Sequence, residues 1–201
     1  MLLSPLVSTA DREKWSGIYR ARGEEMAGPS SLIAALAAEL PTSGRALDVA
    51  GGSGRHAIWL ARRGLDVTIA DISEAGLSLA SRRAARHGVT IQTVCVDLET
   101  CDLPAGPWDL ILCVHYLDRS LFPEFRALLV DGGMLVVLHP TRSNLQRHDR
   151  PSARYLLEDG ELPALIQGLN IIRYDEGWLD EGRHEARAVA RRIVQARDRS
   201  L

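Results

Sequence analysis

The residues most able to bind a ligand lie in one glycine-rich segment, Asp48-Val49-Ala50-Gly51-Gly52-Ser53-Gly54-Arg55-His56-Ala57. Glycines between a strand and a helix let the backbone approach a ligand closely, and N–H groups of the first helical turn face the same spot. The last six residues of the segment fit the pattern G-x-G-x-x-A of dinucleotide-binding loops. The segment therefore predicts a ligand-binding loop.

Acidic residues on either side of this loop restrict the kind of ligand. Asp71 ends the next apolar run, 17 residues beyond Gly54 (71 minus 54). A carboxylate there can accept hydrogen bonds from both hydroxyls of a ribose, which predicts an adenosine-containing ligand. Asp48 stands four residues before Gly52, where a dinucleotide-binding strand normally stays apolar. Because a charge at a strand end needs a partner, Asp48 decides which adenosine ligand fits.

The elements that must position these residues follow a regular alternation of apolar and amphipathic runs. Near-continuous apolar strands alternating with helices predict a parallel sheet covered on both faces, a doubly wound α/β fold. The run 186–194 stays open, because its alanines alternate as in a strand while its Ala and Arg content also suits a helix. Strands are predicted at 46–49, 66–70, 90–96, 108–114, 134–138 (after a turn at 131–133) and 170–174, and helices at 32–40, 56–63, 74–87, 121–129 and 161–168.

The first forty residues are predicted to be helical. Trp15 and Tyr19 recur at helical spacing, and Gly28-Pro29 breaks the pattern. Ser30 can cap the next helix, an alanine-rich run that Pro41 ends. These helices precede the first predicted strand.

From that strand onward the sequence resembles class I S-adenosylmethionine-dependent methyltransferases. Their first motif has the form D-x-G-x-G-x-G, which the segment from Asp48 matches except that Ala50 replaces the first glycine. The third strand ends in Val96-Asp97-Leu98, at the family's acidic position that meets the adenine amino group. The fourth ends in Cys113-Val114-His115-Tyr116, where the family's substrate pocket begins. The resemblance implies S-adenosylmethionine as the cofactor.

A narrower resemblance is to the tellurite-resistance type of methyltransferase, a small-molecule branch of that family. It rests on the N-terminal Trp and Tyr helix, on 46–52, on 115–119, on 155–157 and on 176–186, and it covers roughly residues 12 to 196. It implies a Rossmann-like methyltransferase fold with a mostly parallel seven-stranded sheet. An antiparallel C-terminal edge strand, formed by a hairpin of the last two apolar runs, and an N-terminal helical lid complete that fold.

The resemblance also implies how one domain, 1–201, divides its tasks. Residues 1–43 would form the helical lid, 44–140 the cofactor-binding core, and 141–201 a substrate-side loop, a helix and the C-terminal hairpin. The expected catalytic residues are His115 and Tyr116, and the residues expected to bind the cofactor are Tyr19, Arg20, Asp48, Ala50, Gly51, Gly52, Gly54, Asp71, Ile72, Asp97, Leu98 and Val114.

The acceptor pocket is expected where the strands end. Ligands of open α/β sheets lie outside the carboxyl ends of the strands, and a segment rich in aromatic and arginine residues can shut out water. We therefore expect the pocket between the N-terminal helix and the ends of the fourth and fifth strands. Its residues would be Trp15, Tyr19 and Arg20 on the helix and His115, Tyr116 and His139 at the strand ends.

Composition limits the class of partner. Lys and Arg total 24 against 26 Asp and Glu, and a net charge of −2 argues against a general basic surface for nucleic acid or an anionic membrane. The three cysteines lack C-x-x-C spacing, so a reduced, cytoplasmic setting is expected. The histidines lack H-x-x-x-H spacing, so no metal is expected. A small-molecule acceptor and a monomer or homodimer complete these expectations.

Two other functions stay open at this point. An NAD(P)-dependent oxidoreductase would use the same loop, but Asp48 opposes it, and Lys14 as the only lysine leaves no Tyr-x-x-x-Lys pair. A non-catalytic protein that binds S-adenosylmethionine or S-adenosylhomocysteine would keep the same scaffold. Fold alone does not decide between them. The acceptor is not fixed either, although the resemblance suggests a soft sulfur, selenium or tellurium nucleophile.

Overall fold

The computed structural model describes residues 5–23 and 26–194, and it confirms the doubly wound α/β fold. The chain divides between Ala105 and Gly106 into two compact units. The N-terminal unit contains α1 (Pro5–Ala21), α2 (Ser31–Ala35), β1 (Arg45–Val49), α3 (Arg55–Ala61), β2 (Asp66–Asp71), α4 (Glu74–Arg86) and β3 (Gln92–Cys95). The C-terminal unit contains β4 (Trp108–Val114), α5 (Phe122–Leu128), β5 (Leu129–Pro140), α6 (Leu162–Leu165), β6 (Leu169–Trp178) and β7 (His184–Arg192), with short 3-10 helices at Arg119–Leu121, Arg142–Gln146 and Ala153–Tyr155. The sheet order is β3-β2-β1-β4-β5-β7-β6.

In the N-terminal unit the three strands are parallel and nearly in step. Asp48 pairs with Ile69 across β1 and β2, and Asp71 pairs with Cys95 across β2 and β3. Because neighbouring parallel strands end together, the loops that follow them leave from the same edge. This register places the acidic strand ends side by side.

In the C-terminal unit β4 and β5 are parallel, whereas β7 runs antiparallel to both β5 and β6. The ambiguous C-terminal run is therefore a strand, and the hairpin expected from the family resemblance is confirmed. Ala186, Ala188 and Ala190 are all buried, and β6 is the outermost strand. Small side chains allow close packing on one face of β7, which overrides the helix propensity of alanine.

The helix predicted at 32–40 is shorter than expected. Ser30 caps it as predicted, but α2 ends at Ala35 and the chain continues in tight turns, with the Leu40 N–H donating to the Leu36 carbonyl at 3.1 Å. Leu36 and Leu40 are both buried. Burial of these two leucines thus determines the backbone here more strongly than alanine propensity does.

The fifth strand begins earlier than predicted. It starts at Leu129, and its register against β4 jumps from Trp108–Leu129 to Leu110–Met134. The residues assigned to a turn, 131–133, instead form an irregularity within the strand, where Gly132 has φ 76°. An unpaired glycine of this kind is typical of a β-bulge. The helix predicted at 161–168 is likewise reduced to α6, at Leu162–Leu165.

The N-terminal helical prediction is confirmed by α1, whereas its role as a lid and the three-part division of the chain stay predictions. Across residues 5–23 and 26–194, no helix combines the length and the hydropathy needed to cross a membrane.

Candidate functional site

The loop between β1 and α3 relies on left-handed backbone. Ala50 has φ 52° and Gly52 has φ 55°. For alanine this conformation costs about 1–2 kcal/mol, and it occurs where the family motif has glycine. The loop also packs closely on β1, since a Cβ at Gly51 would lie 2.6 Å from Asp48 Oδ2. The glycine segment is thus a tight turn whose backbone neighbouring side chains approach closely.

Asp48 lies beneath this loop and is 1% exposed. Its carboxylate accepts a hydrogen bond from the backbone of Ala57, which ties the end of β1 to α3. Its Oδ2 has no hydrogen-bond partner among the described residues. Burial raises the pKa of this carboxyl to about 7, although the Ala57 hydrogen bond opposes the shift. The free oxygen needs a donor from outside this part of the chain whenever the group is ionised.

Asp71 has a second role that the sequence analysis missed. Its Oδ2 accepts the Gly52 N–H at 2.9 Å, and its Oδ1 accepts the Ser73 N–H at 2.8 Å. Burial raises the pKa of the carboxyl, while these two hydrogen bonds lower it. Each oxygen keeps one further lone pair. Ribose binding by Asp71 therefore stays a prediction, but the residue also fixes the glycine loop.

Asp97 follows β3 by two residues and is 8% exposed. Its Oδ1 accepts the Glu99 N–H at 3.1 Å, and its Oδ2 lacks a partner among the described residues. Leu98 beside it is buried, and Ile72 after β2 is partly buried. The end of β1, at Asp48, and the loop after β3, at Asp97, thus each carry one buried acceptor oxygen without a partner among the described residues.

Tyr19 on α1 packs directly on the glycine loop. A Cβ atom added at Gly52 would lie only 2.0 Å from the Tyr19 hydroxyl oxygen. The Tyr19 ring lies against Gly76 in the first turn of α4. Burial, followed by the charge of Asp71, raises the pKa of Tyr19 to about 12, so the phenol stays neutral. The sequence-predicted site residues Tyr19, Gly52 and Asp71 are therefore brought together.

Further contacts hold the N-terminal segment on the same surface. Ser16 Oγ lies 3.0 Å from Ser73 Oγ, in a buried contact. Arg83 donates to the Gly23 carbonyl at 2.7 Å and to the Ser53 carbonyl at 3.3 Å. Arg20, by contrast, is exposed, and its predicted cofactor contact stays a prediction. Helix α1 thus packs on the glycine loop through Tyr19 and on the start of α4 through Ser16.

In the C-terminal unit, His115 follows β4 with an unusual backbone, φ 58°. Its N–H donates to the Leu138 carbonyl at 2.8 Å, and its ring Nε2 lies 2.9 Å from Glu185 Oε1. Glu185 is 2% exposed and also pairs with Arg183 Nε at 3.1 Å. The sequence analysis missed Glu185, although it is the only acidic residue between 183 and 192.

His139, Val114 and Tyr116 are the other predicted site residues of this unit. His139 is 4% exposed, and its Nε2 donates to the Tyr155 carbonyl at 2.8 Å. Burial lowers the pKa of His139 to about 4, so its ring is neutral near pH 7. Val114 and Tyr116 are partly buried, and the Tyr116 carbonyl accepts from Cys113 Sγ at 3.4 Å. Their predicted roles stay predictions.

Asp159, Glu176 and His184 form a third polar cluster. Their potential metal-ligand atoms all lie within 4.8 Å of one another. Asp159 accepts from Ser143 N–H at 3.1 Å, and Glu176 accepts from Gly160 N–H at 3.0 Å. His184 Nδ1 lies 2.7 Å from Thr141 Oγ1. These bonds link β6 and β7 to the preceding loops. The three residues are thus part of a hydrogen-bond network.

The packing of Tyr19 on the loop predicts the effect of a methyl group at Gly52. Gly52→Ala should reduce the free energy of unfolding by more than Gly88→Ala, as measured by urea denaturation. Both glycines are left-handed, so both substitutions cost about 1–2 kcal/mol of strain. Only the methyl at Gly52 meets Tyr19, whereas nothing lies within 4 Å at Gly88. Adding Tyr19→Ala to Gly52→Ala should remove the extra loss of unfolding free energy. Equal losses of unfolding free energy in Gly52→Ala and Gly88→Ala would contradict this packing.

The burial of Asp48 predicts a pH-dependent stability. Between about pH 4, its pKa when unfolded, and about pH 7, the native state holds one more proton than the unfolded state, so stability falls as pH rises. Asp48→Asn removes this contribution. Relative to wild type, the variant should gain about 1 to 3 kcal/mol between pH 5 and pH 8 in denaturant unfolding. Asp66→Asn, at an exposed position of β2, is the control, and parallel pH profiles for Asp48→Asn and wild type would refute the prediction.

Comparison with known proteins agrees with the interpretation of the glycine loop and the acidic strand ends as methyltransferase features. Residues 46–133 match a family model described as a methyltransferase domain. Ribosomal protein L11 methyltransferase from Thermus thermophilus is 36% identical over 103 residues, which cover 50% of this chain and 40% of that protein. The chain spans about two fifths of the length of the curated relatives it matches.

Solved structures extend the similarity to most of the fold. TehB from Haemophilus influenzae, of the tellurite-resistance group, is 18% identical with a TM-score of 0.68, over 90% of this chain and 66% of that chain. Magnesium protoporphyrin IX methyltransferase from Synechocystis PCC 6803, solved with bound S-adenosylhomocysteine, is 19% identical with a TM-score of 0.66, over 92% and 99% of the two chains. At these identities the likeness concerns the fold. The chain is thus similar to a methyltransferase domain over residues 46–133, and its fold is the Rossmann-like methyltransferase fold.

Proposed function

We propose that this protein transfers the methyl group of S-adenosylmethionine to a small-molecule acceptor. One observation carries the proposal: Asp48 Oδ2 and Asp97 Oδ2 are buried acceptor atoms without partners among the described residues, at the ends of strands beside the glycine loop. Buried polar atoms are normally hydrogen-bonded. Donors on a bound ligand would satisfy these two atoms.

The donors of an adenosyl amino acid fit this set of acceptors. By the family motif, Asp97 would accept from the adenine amino group, and Asp71 would use its remaining lone pairs for the ribose hydroxyls. Asp48 would then balance positive charge near the loop. The positive charge of NAD lies on a pyridinium nitrogen that has no N–H group, so it could not donate a hydrogen bond to the buried Asp48 carboxylate.

Methyl transfer requires little of the protein beyond positioning the two reactants. When bound, the cofactor supplies a methyl group on a sulfonium sulfur, which is already a good leaving group. The chain must hold an acceptor in line with that methyl and exclude water, and such positioning is worth several kcal/mol. Tyr19 packs α1 on the glycine loop and Ser16 holds it at Ser73, which supports the role of α1 as the lid.

A small acceptor agrees with the net charge of −2, which provides no general basic surface for nucleic acid. A soft sulfur, selenium or tellurium nucleophile is the acceptor suggested by the tellurite-resistance group. All three cysteines are free, which supports a cytoplasmic location. A monomer or homodimer completes the proposal.

Calorimetry with the purified chain tests the cofactor. S-adenosylhomocysteine should bind and NAD should not. Asp97→Ala should weaken S-adenosylhomocysteine binding roughly 10- to 150-fold, because one hydrogen bond to a charged group is lost. Asp97 gives a cleaner test than Asp71, whose removal would also orphan the buried Gly52 and Ser73 N–H groups.

Asp102→Ala, at an exposed position near Asp97, is the control and should leave the affinity unchanged. Tighter binding of NAD than of S-adenosylhomocysteine would refute the cofactor assignment. Binding of S-adenosylhomocysteine without methylation of any acceptor would favour the non-catalytic alternative instead.

A further inference from the structure

We propose that two copies of this chain associate through the open edge of β6, so that their sheets join as one antiparallel sheet. Residues 172–176 form the surface that pairs, and we call them the β6 edge. The partner that covers this edge is the same strand of the second copy. The inference goes beyond the proposed methyl transfer and holds whether or not the chain binds S-adenosylmethionine.

The backbone of β6 is arranged to accept a further strand. Within residues 5–23 and 26–194, β6 pairs with β7 alone and is the last strand of the sheet. The Leu179 N–H donates to the Arg183 carbonyl at 2.7 Å, and bonded pairs alternate with non-bonded pairs along an antiparallel ladder. Counting back from Leu179, the backbone N–H and C=O groups of Tyr174 and Glu176 point away from β7. Such a strand edge can pair with another strand.

Large apolar side chains are concentrated near this edge. The described part of the chain leaves eight of them exposed, and three of the eight lie on β6 while two directly follow β7. These five are Ile171, Ile172, Tyr174, Ile193 and Val194. The last residue of β7, Arg192, pairs with the first residue of β6, Leu169, so both groups belong to the same outer hairpin. Exposed apolar patches are typical of interfaces between proteins.

The charges of β6 favour a second copy over an unrelated strand. When two identical antiparallel strands pair about a two-fold axis, one residue lies opposite itself. A centre at Arg173, Asp175 or Glu176 would place like charges opposite each other, which is destabilising. A centre at Tyr174 instead places Arg173 of each copy opposite Asp175 of the other. With Tyr174 at the centre, the strand is therefore complementary to itself.

The side chains of the β6 edge fit this register. Arg173 and Asp175 are two residues apart and lie on one face of β6, where Asp175 already pairs with Arg187 of β7. Asp175 is exposed and its carboxylate has further lone pairs, so it can also accept Arg173 of the second copy. On the opposite face the two Tyr174 rings would lie side by side, and cross-strand aromatic pairs are stabilising.

A β-bulge limits the length of this pairing. The register of β6 against β7 shifts between Ile171 and Arg173, so Ile172 is an extra residue in β6. A bulge interrupts a regular ladder and restricts pairing at an edge. Pairing centred on Tyr174 therefore extends only to Ile172 on one side and to Glu176 on the other. Such a short interface predicts a weak dimer that forms as the protein concentration rises.

Sedimentation of the wild-type chain tests association. Its average mass should rise toward twice that of one chain between about 5 and about 500 µM. Arg173→Asp and Asp175→Arg should each weaken dimerisation roughly 10- to 100-fold, because each variant places two pairs of like charges across the interface. Arg82→Asp on α4 and Asp102→Arg are the matched controls, since both positions are exposed and the changes in charge are the same. These controls should dimerise as the wild type does.

Mixing the two interface variants tests the register. In a mixture of Arg173→Asp and Asp175→Arg, position 173 of either variant faces position 175 of the other, and each facing pair again joins an acid to an arginine. The mixture should therefore dimerise at concentrations where each variant alone is monomeric. A mixture that stays monomeric although both variants are folded by circular dichroism would overturn the register and the proposal with it.

Amide hydrogen exchange tests the same edge in the wild type, so the result does not depend on whether a variant folds. As concentration rises, exchange should slow at Tyr174 and Glu176, whose N–H groups would gain acceptors. Asp175 should exchange at a constant rate, because its N–H already faces β7 in the alternating ladder. A mass that stays that of one chain up to about 500 µM would overturn the proposal. Slowed exchange on β3 instead of β6, or unchanged dimerisation in both charge variants, would also overturn it.

Discussion

The Asp71 carboxylate fixes the loops at the carboxyl ends of β1 and β2 in the N-terminal unit. Its two oxygens accept N–H groups from Gly52, in the loop after β1, and from Ser73, which caps α4. Hydrogen bonds to a charged group contribute about 1.5–3 kcal/mol each, and here both are buried. One side chain therefore sets the positions of two loops. Helix α1 packs on the same two loops, because Tyr19 packs on Gly52 and Ser16 contacts Ser73.

The C-terminal unit uses a buried acid for a different purpose. Glu185 is bonded by the side chains of His115 and Arg183 rather than by backbone N–H groups. Backbone donors cannot give up their hydrogens, so Asp71 can only hold structure or bind a ligand. An imidazole can gain and lose a proton near neutral pH. The bonds of Glu185 thus join side chains from two strand ends, whereas those of Asp71 join backbone groups of two loops.

Much of the fold could be predicted from the sequence because its determinants are local. The apolar strands and the glycine loop identify the sheet order of a known family, and Ser30 caps α2 where predicted. The end of α2 and the start of β5 could not be predicted, since burial of Leu40 and the pairing of Leu129 with Trp108 depend on distant residues. Glu185 was missed for the same reason. Its partner His115 lies 70 residues away in the chain.

Backbone strain gives a measure of function that is independent of the side-chain arguments. Within residues 5–23 and 26–194, Ala50 and His115 are the non-glycine residues with positive φ. Each comes directly after a parallel strand, Ala50 after β1 and His115 after β4. A glycine at either position would relieve about 1–2 kcal/mol, so stability alone does not account for the residues present. At Ala50 the methyl group adds no chemistry, and the structure offers no reason for it. At His115 the same cost places an imidazole against the buried Glu185 carboxylate, so the contact between the two side chains accompanies the strained backbone at the end of β4.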